Sequence, residues 1–305
     1  MRYFLFAIGL WFVTACAAQI TIMSYNVENL FHPASDSINT DSEFTPSGSH
    51  RWTYTRYYRK LEQIARVIAN SVTDDYPAIV ALNEVEDRHC LQDLCRKMPH
   101  YPYQIIHFDS QDHRGIDVAL LYDSTRFHRL IAQTISPITS TRDLLYAKLM
   151  TPANDTLHLI ACHLPSQLSG TISRLRRDTL KAAIHHLTDS VLLHSPNAQI
   201  IVCGDMNTAP VDDLQPLTNL MVNITSGSHK YRGLWTCLDQ FYVSPALISR
   251  ASASVFNARW LQEEDMKFLG TRPVRTFIGF RYNRQGFSDH LPILLRLSME
   301  CYGEK

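Results

Sequence analysis

Gln199-Ile-Ile-Val-Cys-Gly-Asp205-Met-Asn207 is the stretch whose reading decides the fold. Unbroken apolar residues describe a strand buried on both faces, and such a strand delivers the polar residues that follow it to a sheet edge. Here the delivery is Asp205 and Asn207. The pattern recurs in Ile20-Thr-Ile-Met-Ser-Tyr-Asn26, Ala78-Ile-Val-Ala-Leu-Asn-Glu84 and Leu157-His-Leu-Ile-Ala-Cys-His163. Further strands are predicted over 103–108, 117–122, 144–150, 238–243 and 291–297. One helix is predicted over 57–70, with Leu61, Ile64, Ala65 and Ile68 on one face. Another is predicted over 172–193, with Leu175, Leu180, Ile184, Leu187 and Val191 on one face. Some strands alternate with helices and others follow one another directly, which predicts a layered α/β architecture with mixed sheets. Polar insertions at 32–56 and 257–285 are expected to be rim loops.

The chain has 305 residues, 45% of them hydrophobic, and 29 Lys+Arg balance 29 Asp+Glu. A chain of this length buries enough surface to fold without a disulfide or metal staple. Formal neutrality excludes a protein that coats nucleic acid through bulk positive charge, although local basic patches remain open to it. Met1 and Arg2, the uncharged run from Tyr3 to Val13 and the small residues up to Ala18 have the form of a secretory signal. The expectation is an exported protein, periplasmic or secreted, with a leader at 1–18 and a single domain at 19–305. The competing reading takes Val13-Thr-Ala-Cys16 as a lipoprotein box that would anchor the chain through Cys16. Past the leader, Cys90, Cys95, Cys162, Cys203, Cys237 and Cys301 are expected to be small buried thiols rather than disulfides. Cys162 and Cys203 lie inside apolar runs, and Cys90 and Cys95 are spaced beyond disulfide reach on a predicted helix. No CxxC pair, HExxH helix, Walker loop, GxGxxG turn or GxSxG elbow occurs. Structural zinc, zincin proteases, P-loop and dinucleotide enzymes and the usual serine hydrolases are thereby excluded. Chemistry must come from scattered Asp, Asn, Glu and His.

Taken in order, Ser24-Tyr-Asn26, Asn83-Glu84, His163-Leu-Pro-Ser, Gly204-Asp205-Met-Asn207, Leu238-Asp239 and Ser288-Asp289-His290 resemble the endonuclease/exonuclease/phosphatase superfamily. The resemblance runs from about Ile20 to Leu297. It implies a four-layered α/β/β/α sandwich of two mixed β-sheets flanked by helices, with the site where strand ends converge. It also implies roles. Glu84 becomes the principal metal ligand, with Asn26 and Asp289 near the ion directly or through water. Asp205 orients and deprotonates the attacking water, Asn207 donates to a phosphate oxygen, and Asp239 fixes His290 as an acid–histidine pair. His163 matches a histidine of the deoxyribonuclease I-like and sphingomyelinase-like branches, with Asp117 as its expected partner, and Arg142 matches a phosphate-facing arginine. Carboxylate oxygens without soft ligands suit Mg²⁺, with Mn²⁺ as substitute. Such a set fits hydrolysis at phosphorus, where charge spreads over phosphoryl and leaving oxygens.

The insertions add Trp52, Tyr54, Arg56, Tyr57 and Arg59, then Lys267, Arg272, Arg275, Arg281 and Arg284. Aromatics among arginines suit a phosphate-bearing substrate, with Arg272 and Arg275 as binding candidates; solvated charge around a buried Trp52 is the opposing reading. The leading expectation is a metal-dependent phosphodiesterase or nuclease acting on a phosphodiester, nucleic acid among the candidates. A phosphatase or phospholipase C-like enzyme on a phosphorylated lipid, sugar or inositol is the alternative. A non-catalytic binding module ranks last, because Glu84, Asp205, Asn207, Asp239, Asp289 and His290 are all present. No protein partner is inferred, and a membrane enters only through a lipidated Cys16.

Overall fold

The computed structural model describes residues 19–34, 41–138, 141–167 and 170–299. The expected leader, Cys16 and Cys301 lie outside them. In chain order the first half comprises β1 (Gln19–Leu30), α1 (Tyr54–Ala69), β2 (Ile79–Val85), α2 (Arg88–Arg96), β3 (Tyr103–His107), β4 (Asp117–Asp123), β5 (His128–Ile135) and β6 (Leu144–Met150). Next come β7 (Thr156–His163), α3 (Gly170–His194), β8 (Gln199–Asp205), β9 (Thr218–Asn219), β10 (His229–Tyr231), β11 (Leu234–Thr236), β12 (Asp239–Val243) and β13 (Ala251–Val255). The chain closes with β14 (Gln262–Glu264), β15 (Thr271–Pro273), β16 (Phe277–Ile278), β17 (Arg281–Tyr282) and β18 (Ile293–Ser298).

Two six-stranded sheets result, ordered β13-β18-β1-β2-β4-β3 and β5-β6-β7-β8-β12-β9. Each has one parallel pair at its centre, β1 with β2 and β7 with β8. A parallel pair needs a crossover, and α1 and α3 supply one each. Period-two alternation divides the packing. Ile201 and Cys203 of β8 and Leu159 and Ala161 of β7 face the core shared with the other sheet. Ile200, Val202, Ile160 and Cys162 face outward onto Leu180 and Ile184 of α3. Leu61, Ile64 and Ile68 of α1 and Leu91 and Leu94 of α2 join the core on the first sheet. The layers are therefore helix, sheet, sheet, helix, the expected sandwich of two mixed sheets.

Several local expectations need correction. Leu175 is 60% exposed, because the buried stripe of α3 runs through Ser173, Arg177, Leu180, Ile184 and Thr188. β5 escaped prediction because it is an edge strand with no buried residue, and β13 because Ala-Ser-Ala-Ser-Val carries little β signal. The insertion at 257–285 is no plain loop but holds the hairpins β14–β15 and β16–β17. In the first insertion Trp52 is fully buried and its indole N–H donates to Phe31 O at 2.7 Å, and Tyr57 is also core. The five described cysteines beyond the leader, Cys90, Cys95, Cys162, Cys203 and Cys237, are free thiols.

Candidate active site

The ends of the parallel strands β1, β2, β7 and β8 carry Asn26, Glu84, His163 and Asp205. Asn83 Nδ2 donates to Cys162 O at 2.8 Å, tying β2 to β7 across the sandwich just before the functional residues. The strands then deform. Glu28, Asn29, Glu84 and Asn207 all adopt positive φ, and the β1–β2 and β2–β4 registers shift at these points. Non-glycine residues held there cost about 1–3 kcal/mol each, and such strain gathers where side chains must be aimed. Gly204 is obligatory for a different reason: its φ is 139°, and a Cβ there would sit 1.8 Å from Cys162 O. Any side chain would push β8 off β7 and displace Asp205.

Asn26 Nδ2 donates to Asp205 Oδ2 at 3.2 Å and to Glu84 Oε1 at 3.4 Å, while Glu84 Oε2 accepts from Asn29 N at 3.0 Å. Asn26 Oδ1 accepts from Glu28 N at 3.0 Å. In this arrangement Asn26 presents its amide nitrogen to the carboxylates and orients them; a direct metal contact would require the amide to turn over and give up the Glu28 bond. Asp205 Oδ1 accepts from Asn207 N at 2.9 Å. Asn207 Nδ2 donates to Leu164 O at 2.8 Å, which leaves its second N–H for another acceptor.

His290 Nδ1 lies 2.7 Å from Asp239 Oδ2, and His290 Nε2 lies 3.8 Å from Asp205 Oδ2. Register places Asp239 directly opposite Asp205, since β12 runs antiparallel to β8. Ser228 Oγ accepts from Leu238 N and Asp239 N, and Ser288 Oγ donates to Asn26 O at 2.7 Å while accepting from His290 N. Burial opposes the charged ring of His290, yet Asp239, Asp205 and Asp289 outweigh it and hold the pKa well above the ordinary value. Burial pushes Asp205 up to about 7, with Asp239 and Glu84 adding to the rise and His290 opposing it. His163 Nε2 is 3.6 Å from Asp205 and 3.9 Å from Glu84. Burial, then Arg142 and Arg114, drive its pKa well below the ordinary value, so His163 is a neutral ring.

Of the residues expected at the site, the structure brings Asn26, Glu84, His163, Asp205, Asp239 and His290 together. Asp289 joins them from one side: its Oδ2 bonds Arg275 at 3.0 Å. Asp117 is not the partner of His163. It accepts from Ser110 N at 3.1 Å and lies 3.6 Å from His107 Nε2, because residues 109–116 fold back over the end of β4. Arg142 is buried and spends its donors inward, on Asp112 at 3.1 Å, His163 O at 3.2 Å and Leu164 O at 3.4 Å. It therefore braces His163 rather than reaching outward. Arg272 pairs with Glu263 at 2.9 Å on β14 and stands apart from the carboxylate cluster. Missed in the sequence were Asp112 and a buried group behind the site, Glu28 and Lys60. Glu28 accepts from Thr276 N at 2.6 Å and lies 3.7 Å from Arg275 Nε. Lys60 Nζ donates to Phe287 O at 2.6 Å and to Thr276 Oγ1. Lys60 was hidden because it occupies an inward position on α1 among mostly apolar residues.

A family description, Endonuclease/Exonuclease/phosphatase family, matches residues 21–299. The chain belongs to the endonuclease/exonuclease/phosphatase family. It is a phosphoesterase of that family, whose members are metal-dependent. Its fold is similar to that of truncated TDP2 from Caenorhabditis elegans, with TM-score 0.57 and 18% identity over 92% of this chain and 97% of that one. A family protein from Bacteroides thetaiotaomicron aligns with TM-score 0.58 and 14% identity over 94% of this chain and 100% of that one. TDP2 from D. rerio, complexed with a single strand DNA product, aligns with TM-score 0.55 and 14% identity over 92% and 100%. No curated protein sequence matches significantly.

The donor set suits the metal on which a phosphoesterase of this family depends. Glu84, Asp205, Asp239 and Asp289 offer hard oxygens, and Asp239 Oδ1 is buried without a hydrogen-bond partner. The raised pKa of Asp205 marks carboxylates that the protein alone leaves under-compensated. A hard cation answers both features, and among the described residues no cysteine shares a candidate ligand group with these carboxylates.

Proposed function

We propose that the chain is a phosphodiesterase that uses Mg²⁺, or Mn²⁺ in its place, to assist attack by water on a phosphodiester, nucleic acid being the leading substrate class. The observation that carries this reading is the convergence of the Asp239–His290 pair, at 2.7 Å, on Asp205 and the Glu84 carboxylate. Glu84 and Asp289 would hold the ion, which supplies Lewis-acid polarisation of a phosphate oxygen. Asp205, poised at about 7, accepts the proton of the attacking water. His290, kept protonated by Asp239, stabilises the developing charge and donates to the leaving oxygen. His163 and the free N–H of Asn207 hold the non-bridging oxygens, and Arg142 fixes the placement of His163. Arg275, which pairs with Asp289 and is partly exposed, is a cation beside the site that an incoming phosphate can meet.

A polyanion finds support along α1, where Arg56 stacks over the Tyr282 ring at 4.6 Å and lines, with Arg59, Arg284 and Tyr58, a groove of about 600 Å³. The DNA-bound TDP2 structure is consistent with this class. Export, with the domain beginning after Ala18, belongs to the same proposal. A second reading, a phospholipase C-like enzyme, draws on exposed apolar side chains close to His229, which is itself beside His290. A panel of plasmid DNA, RNA, a lipid phosphodiester and a phosphomonoester with Mg²⁺ tests the proposal. Hydrolysis of diesters that is lost in His290→Ala is the expected result; activity on the monoester alone would overturn it.

A further inference from the structure

The turn between β10 and β11 and the turn between β14 and β15 meet at the surface. Gly233 approaches Phe268 closely enough that a Cβ on it would lie 3.1 Å from the Phe268 Cβ. Lys230 Nζ donates to Leu269 O at 2.7 Å and pairs with Asp265 at 3.0 Å, locking the two turns into one rim. What this rim presents to solvent is apolar: Leu234 is 74% exposed, Met266 86% and Leu269 81%, with Tyr231 and Phe268 about half exposed beside them. Polar side chains are the rule at such turns, and so dense an apolar display on two joined tips marks a contact surface.

We propose that this rim docks the protein on a lipid bilayer bearing anionic headgroups, inserting Leu234, Met266 and Leu269 at the boundary between headgroups and acyl chains. Two features select that occupant. The side chains project from turns instead of lining a groove; a fluid apolar boundary accepts projecting groups without shape matching, whereas a folded partner would need a complementary hollow. The outward cations also stand where headgroups would lie. Arg232 is over the Tyr231 ring at 5.2 Å and Lys267 over the Phe268 ring at 5.1 Å, each a charge on an amphipathic base. Lys230 is already neutralised by Asp265, and Glu264 at the end of β14 opposes the two free cations. Docking needs no lipid on Cys16.

The rim is also joined to the site. His229 opens β10, bridges His290 through the backbone, and its ring lies 4.8 Å from the His290 ring. Tyr231 follows His229 by two residues, about 7 Å along the strand. A bilayer touching the rim therefore lies beside the proposed catalytic histidine, and a phosphodiester held in or on that surface would be presented to it. Docking itself is separate from the chemistry: vesicle partition reads the first and hydrolysis of a small soluble diester reads the second.

The test is sedimentation of the full chain with large unilamellar vesicles of phosphatidylcholine, with and without phosphatidylglycerol. Binding is expected to the anionic vesicles and to weaken in high salt. The triple substitution Leu234→Asp, Met266→Asp and Leu269→Asp should lower partition by at least ~30-fold. Arg232→Gln with Lys267→Gln should lower it by roughly 25-fold, at about fivefold per cation removed, and Glu264→Gln should strengthen it. Soluble diester hydrolysis should be unchanged in all of these, which also reports that they fold. No vesicle binding by the wild type, or equal binding by the triple variant, would overturn the proposal. So would self-association in solution that the triple variant abolishes, since a second copy would then be the occupant.

Discussion

Strands β2 and β4 carry a charged cluster at each end, and the two clusters are built on opposite terms. At the far end Arg126 takes Asp75 in a two-pronged pair, at 2.7 and 3.1 Å, and Asp123 at 3.0 Å. Asp123 also accepts from Thr125 N, Thr125 Oγ1 and Tyr76 Oη. Arg126 draws Asp75 below the usual carboxylate range; at Asp123 burial pulls the other way, but Thr125, Tyr76 and Arg126 prevail and hold it low as well. At the site end, burial carries Asp205 up to about 7 and Glu28 up to about 7. Asp239 Oδ1, His163 Nδ1 and Asn83 Oδ1 are buried there without hydrogen-bond partners. The first cluster closes on itself and serves the fold; the second leaves its electrostatics open to a cation and a phosphate. Residue type does not separate structure from chemistry here. Completeness of pairing does.

The largest contrast is expected in turnover. Glu84→Ala, Asp205→Ala and His290→Ala should each cost at least ~10²-fold in kcat on a diester, while Asp123→Ala leaves kcat within about twofold. Equal losses at the two ends would erase the distinction. Stability should show the reverse. Asp123→Ala removes the acceptor of Tyr76 Oη, Thr125 and one Arg126 N–H and should cost about 1–2 kcal/mol in denaturant unfolding, whereas Asp205→Asn should stabilise the metal-free protein at pH 8.

Acidity gives a finer test, with opposite signs at the two ends. Asp75 and Asp123 titrate lower when folded, so their contribution is complete above the unfolded carboxylate pKa of about 4 and is lost as pH falls below it. Asp205 titrates at about 7 when folded, so the folded state keeps a proton that the unfolded chain releases. The contribution of Asp205 to stability in chelator should therefore decline as pH rises from about 4 to about 7. The gain in Tm from Asp205→Asn should be greatest at pH 8 and vanish near pH 4. A gain independent of pH would assign it to packing instead.

The smallest expected effect concerns His158, a buried ring beside Tyr146 Oη whose pKa burial lowers to about 4. The unfolded chain binds a proton there between about 4 and about 6.5, so stability falls as pH drops through that window. His158→Gln should flatten that slope by up to one proton in Tm measured against pH, and an unchanged slope would remove this residue from the balance.

Residues that follow long apolar strands were legible in the sequence, because a buried strand announces its own end: Asn26, Glu84, His163 and Asp205 converge as expected. Asp239 and His290 were legible from motif; the β8–β12 register sets Asp239 opposite Asp205, and the side-chain contact at 2.7 Å pairs it with His290. Asp117 was misassigned because a strand end gives position but not neighbour; the loop folding back over β4, which supplies Ser110, has no periodic signal. The same loop hid Asp112, the partner of Arg142. Lys60 and Glu28 both bond Thr276, which lies far from either in sequence, so only the packing of α1 reveals them. The basic and aromatic content of the insertions was visible, but not that Trp52 and Tyr57 turn inward or that Arg272 is paired.

The central claim is that the open carboxylate cluster hydrolyses a phosphodiester only with a hard divalent cation on Glu84. The direct measurement is hydrolysis of a small chromogenic diester by protein stripped with EDTA, titrated with Mg²⁺ and Mn²⁺, for the wild type and Glu84→Gln. The account predicts no turnover after stripping and recovery of the wild type with either ion. Glu84→Gln should remain at least ~10²-fold lower at saturating metal. Full activity in chelator, or a Glu84→Gln variant that recovers like the wild type, would contradict it.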